Sequence, residues 1–283
     1  MTEIPPIGLS KKGGRYNGQF RPEFSRLYED PDLLLITPLP VRYVVGVVGK
    51  RWSGKSATLT ILREELGFDV HSLTDIVRAT AEAQGKDPTD RRVLQQLADE
   101  FRVEHASPDD RDSNDNAFLA RCTLRHLHDR HVHHNRSLDP PRRVALNGFG
   151  HPDEIDVFCR LPQFRIVRLV GDEKAREARV PDGSPEKDAE AFGLSFANPE
   201  EAYARVDQCD LAGSEEVSPW AGDSAHSTQA VLDRVEGLAL SGGVTDGGVK
   251  AEELVFDLDV ESDSGQADLE AIVTQLDRQF RIP

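Results

Sequence analysis

The feature that most constrains this chain is the stretch Gly49-Lys50-Arg51-Trp52-Ser53-Gly54-Lys55-Ser56, which has the spacing G-x-x-x-x-G-K-S. Its glycines permit a turn tight enough for successive backbone N–H groups to converge on one anion. A helix starting at the end of the turn adds its positive pole to the same point. In such a loop Lys55 reaches the β/γ oxygens of a nucleoside triphosphate, and Ser56 offers its hydroxyl to Mg²⁺. The pattern has this meaning only between a strand and a helix, and both flanks comply. Tyr43-Val44-Val45-Gly46-Val47-Val48 is a β-branched run suited to a buried parallel strand. Ala57–Leu66 spaces Leu59, Leu62 and Leu66 along one helical face, and Gly67 stops it. The loop, with Ala57 beginning the helix proper, is therefore expected to bind a nucleoside triphosphate through residues 49–57, with Ser56 as the metal-side ligand.

The βα alternation continues. A second strand is expected at Phe68–Leu73, then helices over 74–84 and 90–104, separated by Gly85-Lys86-Asp87-Pro88-Thr89. A polar loop at 107–116 and a helix at 117–130 follow. Arg143–Gly148 reads as a third strand and Phe164–Gly171 as a fourth, whose interspersed arginines suggest a more exposed position. Residues 181–225 look loop-rich, and Gly242–Gly248 looks like a flexible connector. A strand at 254–258 and a helix over 266–280, with Leu269, Ile272, Val273, Leu276 and Phe280 on one face, close the chain. Strands alternating with helices predict an α/β fold, a mainly parallel five-stranded sheet covered on both faces in three layers, as in a P-loop NTPase. The expected organisation is an N-terminal extension (1–40), the core (41–180), a loop-rich acidic insertion (181–250), and a closing strand and helix (251–283).

A chain of 283 residues can bury one sizeable α/β core. The three cysteines, Cys122, Cys159 and Cys209, lack C-x-x-C spacing, which argues for a reducing compartment and against a zinc ribbon. With no signal-like start and no run near the roughly 18 apolar residues of a membrane helix, a cytoplasmic protein without membrane association is expected. The net charge of −16 is uneven: residues 182–283 hold 23 acidic against 6 basic side chains, residues 1–181 hold 27 against 28. The acidic part disfavours extended nucleic acid. It either serves solubility or offers a surface to a protein partner or a second copy of the chain.

Beyond the loop, three further stretches carry chemistry. They are Leu73-Thr74-Asp75-Ile76-Val77-Arg78, Pro88-Thr89-Asp90-Arg91-Arg92-Val93-Leu94-Gln95 with Arg102 beyond it, and Gly148-Phe149-Gly150-His151-Pro152-Asp153-Glu154. Ala175-Arg176-Glu177-Ala178-Arg179 follows the fourth strand. In this order they resemble the P-loop nucleoside and deoxynucleoside monophosphate kinases, nearest to the deoxynucleoside monophosphate kinase and dephospho-CoA kinase-like group, over about residues 43–180. The resemblance implies a second, phosphorylated substrate beside the phosphate loop. Asp75 and Arg78 lie three apart, on one helical face. Arg78 and Arg91 suit bidentate capture of an acceptor phosphate, with Gln95 one turn on. Asp75 would orient the attacking oxygen, and Arg176 and Arg179 would close over the triphosphate as a lid. A surface ion pair is the alternative for Asp75–Arg78, a solvated residue at a helix N-terminus the alternative for Arg91, and a solvated charged helix the alternative for Arg176 and Arg179.

Two positions depart from the resembled group. Asn147 stands where an acidic residue usually ends the third strand, and Gly150 stands where an arginine usually follows. Glu154 either supplies a carboxylate to the site or, as its position favours, caps the helix over Pro152–Leu161. His126, His128, His131, His133 and His134 lack the spacing of a metal site and read as a solvated loop. Trp52, inside the phosphate loop, is set either to pack over a substrate or to lie on the surface. The resulting expectation is an ATP- and Mg²⁺-dependent kinase with Lys55, Asp75, Arg176 and Arg179 as catalytic groups, acting on a small phosphorylated acceptor. A dephospho-CoA kinase-like enzyme and a nucleotide-binding switch remain open beside it.

Overall fold

The computed structural model describes Leu39, residues 41–104, 116–134, 142–171, Arg176, residues 197–198, 228–259 and 269–280. The expected extension, apart from Leu39, and the whole of 181–196 and 199–227 lie outside the described residues, as does Arg179.

The β-branched run forms β1 (Val41–Val48), and β2 (Asp69–Ser72), β3 (Arg142–Asn147), β4 (Phe164–Val170) and β5 (Val255–Asp259) join it in one sheet of order β2-β3-β1-β4-β5. Every pairing is parallel. The helices are α1 (Lys55–Glu64), α2 (Asp75–Ala83), α3 (Arg91–Glu104), α4 (Phe118–His134), α5 (Pro152–Cys159), α6 (Thr228–Leu240), α7 (Ala251–Leu254) and α8 (Leu269–Phe280).

Strand order decides which helix covers which face. The β1-to-β2 connection runs toward one edge of the sheet, and every later connection runs toward the other. Right-handed crossovers therefore place α1 on one face and α2 to α7 on the opposite one. The core divides accordingly. Leu59 and Leu62 of α1 pack with Ile272, Leu276 and Phe280 of α8 against Val45, Val47 and Ala145. On the other face Val77, Leu97, Leu127, Phe158 and Val235 pack against Val44, Leu146, Phe164 and Ile166. The alternation of β1 residues between these two sets is the period-two pattern of a strand buried on both sides.

Four expectations are corrected. The arginines of β4 do not mark an exposed strand: β4 lies between β1 and β5, and Arg168 is matched across the sheet by Asp257. The histidine-rich segment is no loop, because α4 runs on through His134, with His128 buried. The loop-rich stretch expected over 181–250 contains α6, whose Val231 and Val235 enter the core. Val231, Val235 and Leu238 recur there at i, i+4 and i+7, the spacing of one helical face. The Gly242–Gly248 connector is closed rather than open: Val244 bridges Lys250, and Gly247 N–H donates to Cys159 O at 3.2 Å.

Candidate active site at the carboxyl edge of the sheet

The connections leaving β1 and β3 diverge to opposite sides of the sheet, which opens a crevice beyond the ends of these adjacent strands. The phosphate loop forms one wall. Gly54, at φ 96°, is the left-handed residue from which α1 starts, and only glycine adopts this region without cost. No side chain caps α1 and no acidic residue occupies its first turn. Its leading N–H groups therefore remain directed at the loop, where an anion suits them. Trp52 also has a positive φ, 57°, a conformation that costs a non-glycine residue on the order of 1 kcal/mol or more. The Arg51 guanidinium lies 5.6 Å from its ring centroid. Left-handed and right-handed residues in succession build the concave array of amides that binds phosphate.

Lys55 curls back over the loop, donating to Gly49 O and, at 2.7 Å, to Lys50 O. Its ammonium thus lies within the loop's own concavity, as phosphate binding needs. Ser56 is exposed in the first turn of α1, and Ala57 follows it half-buried. Ser53 is buried, its N–H donating to Lys50 O at 3.3 Å. Arg176 is buried as well, and its Nη1 donates to Arg51 O at 3.2 Å, which brings one expected lid arginine onto the phosphate loop.

The second wall is the end of β3. Asn147 pairs with Ser72 in the sheet register, and Leu73 N–H donates to Asn147 O at 2.9 Å. Its Oδ1 is buried without a hydrogen-bond partner among the described residues. Gly148 follows at φ 81°, and a Cβ there would lie 2.8 Å from Ser72 Oγ, so the turn fits tightly onto the end of β2.

Asp75 opens α2 immediately beyond. Its Oδ2 accepts from Ser72 N–H at 2.9 Å and its Oδ1 from Arg78 Nη1 at 3.1 Å. The Asp75–Arg78 pair is about half exposed, 43% and 49%, so it stabilises the fold by only about 0–1 kcal/mol. Such a pair yields Arg78 to a better anion at little cost. β2 is two strands from β1, about 10 Å at ordinary strand spacing. Asp75 thus stands on the same edge as the loop, with Asn147 between them. A small cleft, lined by His71, Ser72, Asp75, Cys122, Thr123 and His126 among others, opens beside Asp75 between β2, α2 and α4.

The other expected acceptor residues are placed less directly. Arg91 begins α3, but its side chain lies outside the described ones. Gln95 directs its amide to Asp99, at 3.2 and 3.3 Å, within α3. Glu154 closes a capping box at the start of α5, as its position suggested: it accepts from His151 N–H at 3.1 Å while His151 Nδ1 accepts from Asp153 N–H.

Sequence reasoning did not anticipate the ion pair behind this turn. Arg102 Nη2 reaches Glu154 Oε1 at 3.4 Å, Arg102 Nη1 reaches Asp99 Oδ1 at 3.1 Å, and both Arg102 and Glu154 are buried. Burial pushes the Glu154 carboxyl above its ordinary value, against the pull of Arg102 and two backbone N–H groups. A signal was available, since Arg102 falls four residues after Ala98 on the apolar face of α3. Gly150 lies against the same guanidinium: a Cβ there would stand 3.7 Å from Arg102 Nη2.

No protein-family model matches the chain. A UPF0200 protein of Aeropyrum pernix is 30% identical over 121 residues, 43% of this chain and 54% of that protein. The matched part thus spans about half of that relative's length. The fold is that of a P-loop NTPase. This rests on the all-parallel sheet with helices on both faces and on the loop that joins β1 to α1. Among the described residues no helix is long and apolar enough to cross a membrane, and no group of His, Cys, Asp and Glu is arranged to hold a metal ion by itself. Mg²⁺ would instead come with the nucleotide, for which the exposed hydroxyl of Ser56 is the ligand that fits.

Proposed function

We propose that the protein is an ATP-dependent small-molecule kinase that transfers the γ-phosphoryl group to a (deoxy)nucleoside monophosphate. The observation that carries this reading is the alignment of the phosphate loop, Asn147 and the Asp75–Arg78 pair along one edge of the sheet. A site for a triphosphate alone needs only the loop. An arginine held by a readily exchanged surface pair, about two strand spacings away, supports a second anionic substrate.

Phosphoryl transfer asks the protein mainly for positioning and for positive charge near the transferring group. The loop amides and Lys55 bind and orient the β- and γ-phosphates. Arg176, already on the loop, adds charge where it develops, and Arg179 would act with it. Mg²⁺, bound through Ser56, would neutralise phosphate charge. On the acceptor side, Arg78 and Arg91 hold the monophosphate, and Asp75 orients the attacking oxygen. Gln95 would reach the acceptor only by leaving Asp99.

The test is a screen of nucleoside monophosphates and dephospho-CoA for ADP release. Turnover of a monophosphate that disappears in Lys55→Ala is the expected result. Turnover of dephospho-CoA alone would move the assignment to the dephospho-CoA kinase-like alternative. Tight Mg-ATP binding without turnover of any acceptor would replace the kinase by a nucleotide-dependent switch. Asn147 favours that second reading, because it leaves the end of β3 without a carboxylate beside the metal site. A switch would have the acidic C-terminal part as the surface for a protein partner or a second copy, and no extended nucleic acid is expected in either case.

A further inference from the structure

The buried charges behind the crevice are not needed to build the core. Arg102 is 5% exposed on the apolar face of α3, among Leu97, Ala98 and Phe101, and Glu154 is fully buried. Desolvating such a pair costs several kcal/mol, which their attraction repays only with good geometry, and apolar side chains of similar volume often stabilise as well or better. The pair therefore calls for a role beyond cohesion, and its connections supply one. Arg102 Nη1 is on Asp99 at 3.1 Å and Nη2 on Glu154 Oε1 at 3.4 Å, while Glu154 Oε2 accepts from Gly150 N–H at 2.7 Å and His151 N–H at 3.1 Å. A continuous line of charge-assisted contacts thus runs from the last turn of α3 to the backbone of the turn after β3. That turn begins at Asn147, whose carbonyl accepts from Leu73 N–H, two residues before Asp75. The other end of α3 begins at Arg91.

We propose that Arg102 is a positioning residue that clamps the 148–151 turn to α3 through Glu154, and so seats Asn147 and the start of α2 at the crevice. It acts through Glu154 and touches neither substrate. The proposal rests on the kinase reading for its consequence to turnover, but not for the clamp itself.

Arg102→Met alone leaves Glu154 buried without its cation, which endangers folding. The informative protein is the full chain carrying Arg102→Met with Glu154→Gln and Asp99→Asn, which removes all three linked charges and keeps an oxygen for the turn amides. Its thermal stability is expected to return to that of the wild type. Amide exchange of the peptide covering 148–151 should nevertheless accelerate at least about tenfold, because the turn is no longer tied to α3. Where an acceptor is turned over, kcat should fall at least about tenfold with the ATP KM within about twofold, and Arg102→Lys should recover part of both losses. Wild-type exchange in the charge-free variant would overturn the clamp, whatever the protein's reaction. A wild type that releases no ADP with any acceptor would count against the kinase reading alone, since the exchange measurement needs no turnover.

Discussion

Arg168 on β4 and Asp257 on β5 stand opposite each other in the sheet register and close a two-pronged ion pair, with Nε–Oδ1 and Nη2–Oδ2 both at 2.6 Å. The pair keeps a charged residue in an interior strand and raises the Arg168 pKa, chiefly through its hydrogen bonds to Asp257. Asp257 is 47% exposed and Arg168 only 21%, so the contact is partly screened by solvent. Asp257→Ala should destabilise the protein by about 1 kcal/mol, somewhat above an exposed pair because both prongs are lost. Urea unfolding at low and high salt checks this: the loss should shrink at 1 M salt.

Lys55→Ala removes the ammonium that lies over the loop, where it meets Gly49 O and Lys50 O. Gly49 is buried and Lys50 half-buried, so losing the two bonds should cost about 1 kcal/mol of stability. Mg-ATP affinity should fall at least tenfold, which is about 1.4 kcal/mol. Calorimetric titration of wild type and variant with Mg-ATP measures the difference.

Trp52 keeps its ring beside Arg51 at the expense of a left-handed backbone. Glycine removes that strain, on the order of 1 kcal/mol, but adds unfolded-state entropy and forfeits the cation–π contact, worth about 0.5–1 kcal/mol. Trp52→Gly should therefore lie within about 1 kcal/mol of the wild type. Trp52→Val, a β-branched residue in the same conformation, should lose about 2 kcal/mol or more. Thermal unfolding of the three proteins gives the order, and a valine variant as stable as the glycine one would contradict the loop geometry.

Glu154 gives a pH dependence of definite sign. Its carboxyl is pushed up from 4.5 by burial in the folded protein, so between that value and the raised one the native state binds more protons than the unfolded chain. Stability contributed by this group is full below the unfolded value and is lost as pH rises through the folded one. Glu154→Gln cannot titrate, so the difference in unfolding free energy, wild type minus variant, should decline as pH is raised above about 4.5. Denaturant titrations at a series of pH values follow that difference, and a rising one would mean that Arg102 and the turn amides outweigh burial.

Much of the fold was legible because its signals are local. The β-branched run before Gly49, the apolar spacing of Leu59 and Leu62, and the stop at Gly67 all act over a single turn or strand. They correctly announced β1, the loop and α1. The register of Asp75 and Arg78 three residues apart was equally readable, and what forms is the surface ion pair given as the alternative to an acceptor site. Elements failed where the deciding partner is distant in sequence. Arg168 looked like a mark of exposure because its partner, Asp257, comes 89 residues later. A local signal also lay in 228–240, where Val231, Val235 and Leu238 recur at i, i+4 and i+7, so this helix was legible as well.

The sequence by itself determined the phosphate loop, since backbone freedom at glycine, one lysine and one serine at fixed spacing are properties of eight consecutive residues. It also determined the alternation that makes the sheet parallel. Only the tertiary structure decided what stands beside that loop. Strand order brought Asn147 and Asp75 to the edge that carries the loop, and burial turned Arg102 and Glu154 into a clamp rather than two surface charges. Such effects depend on which chain segments exclude water together, and spacing along the sequence does not carry that information.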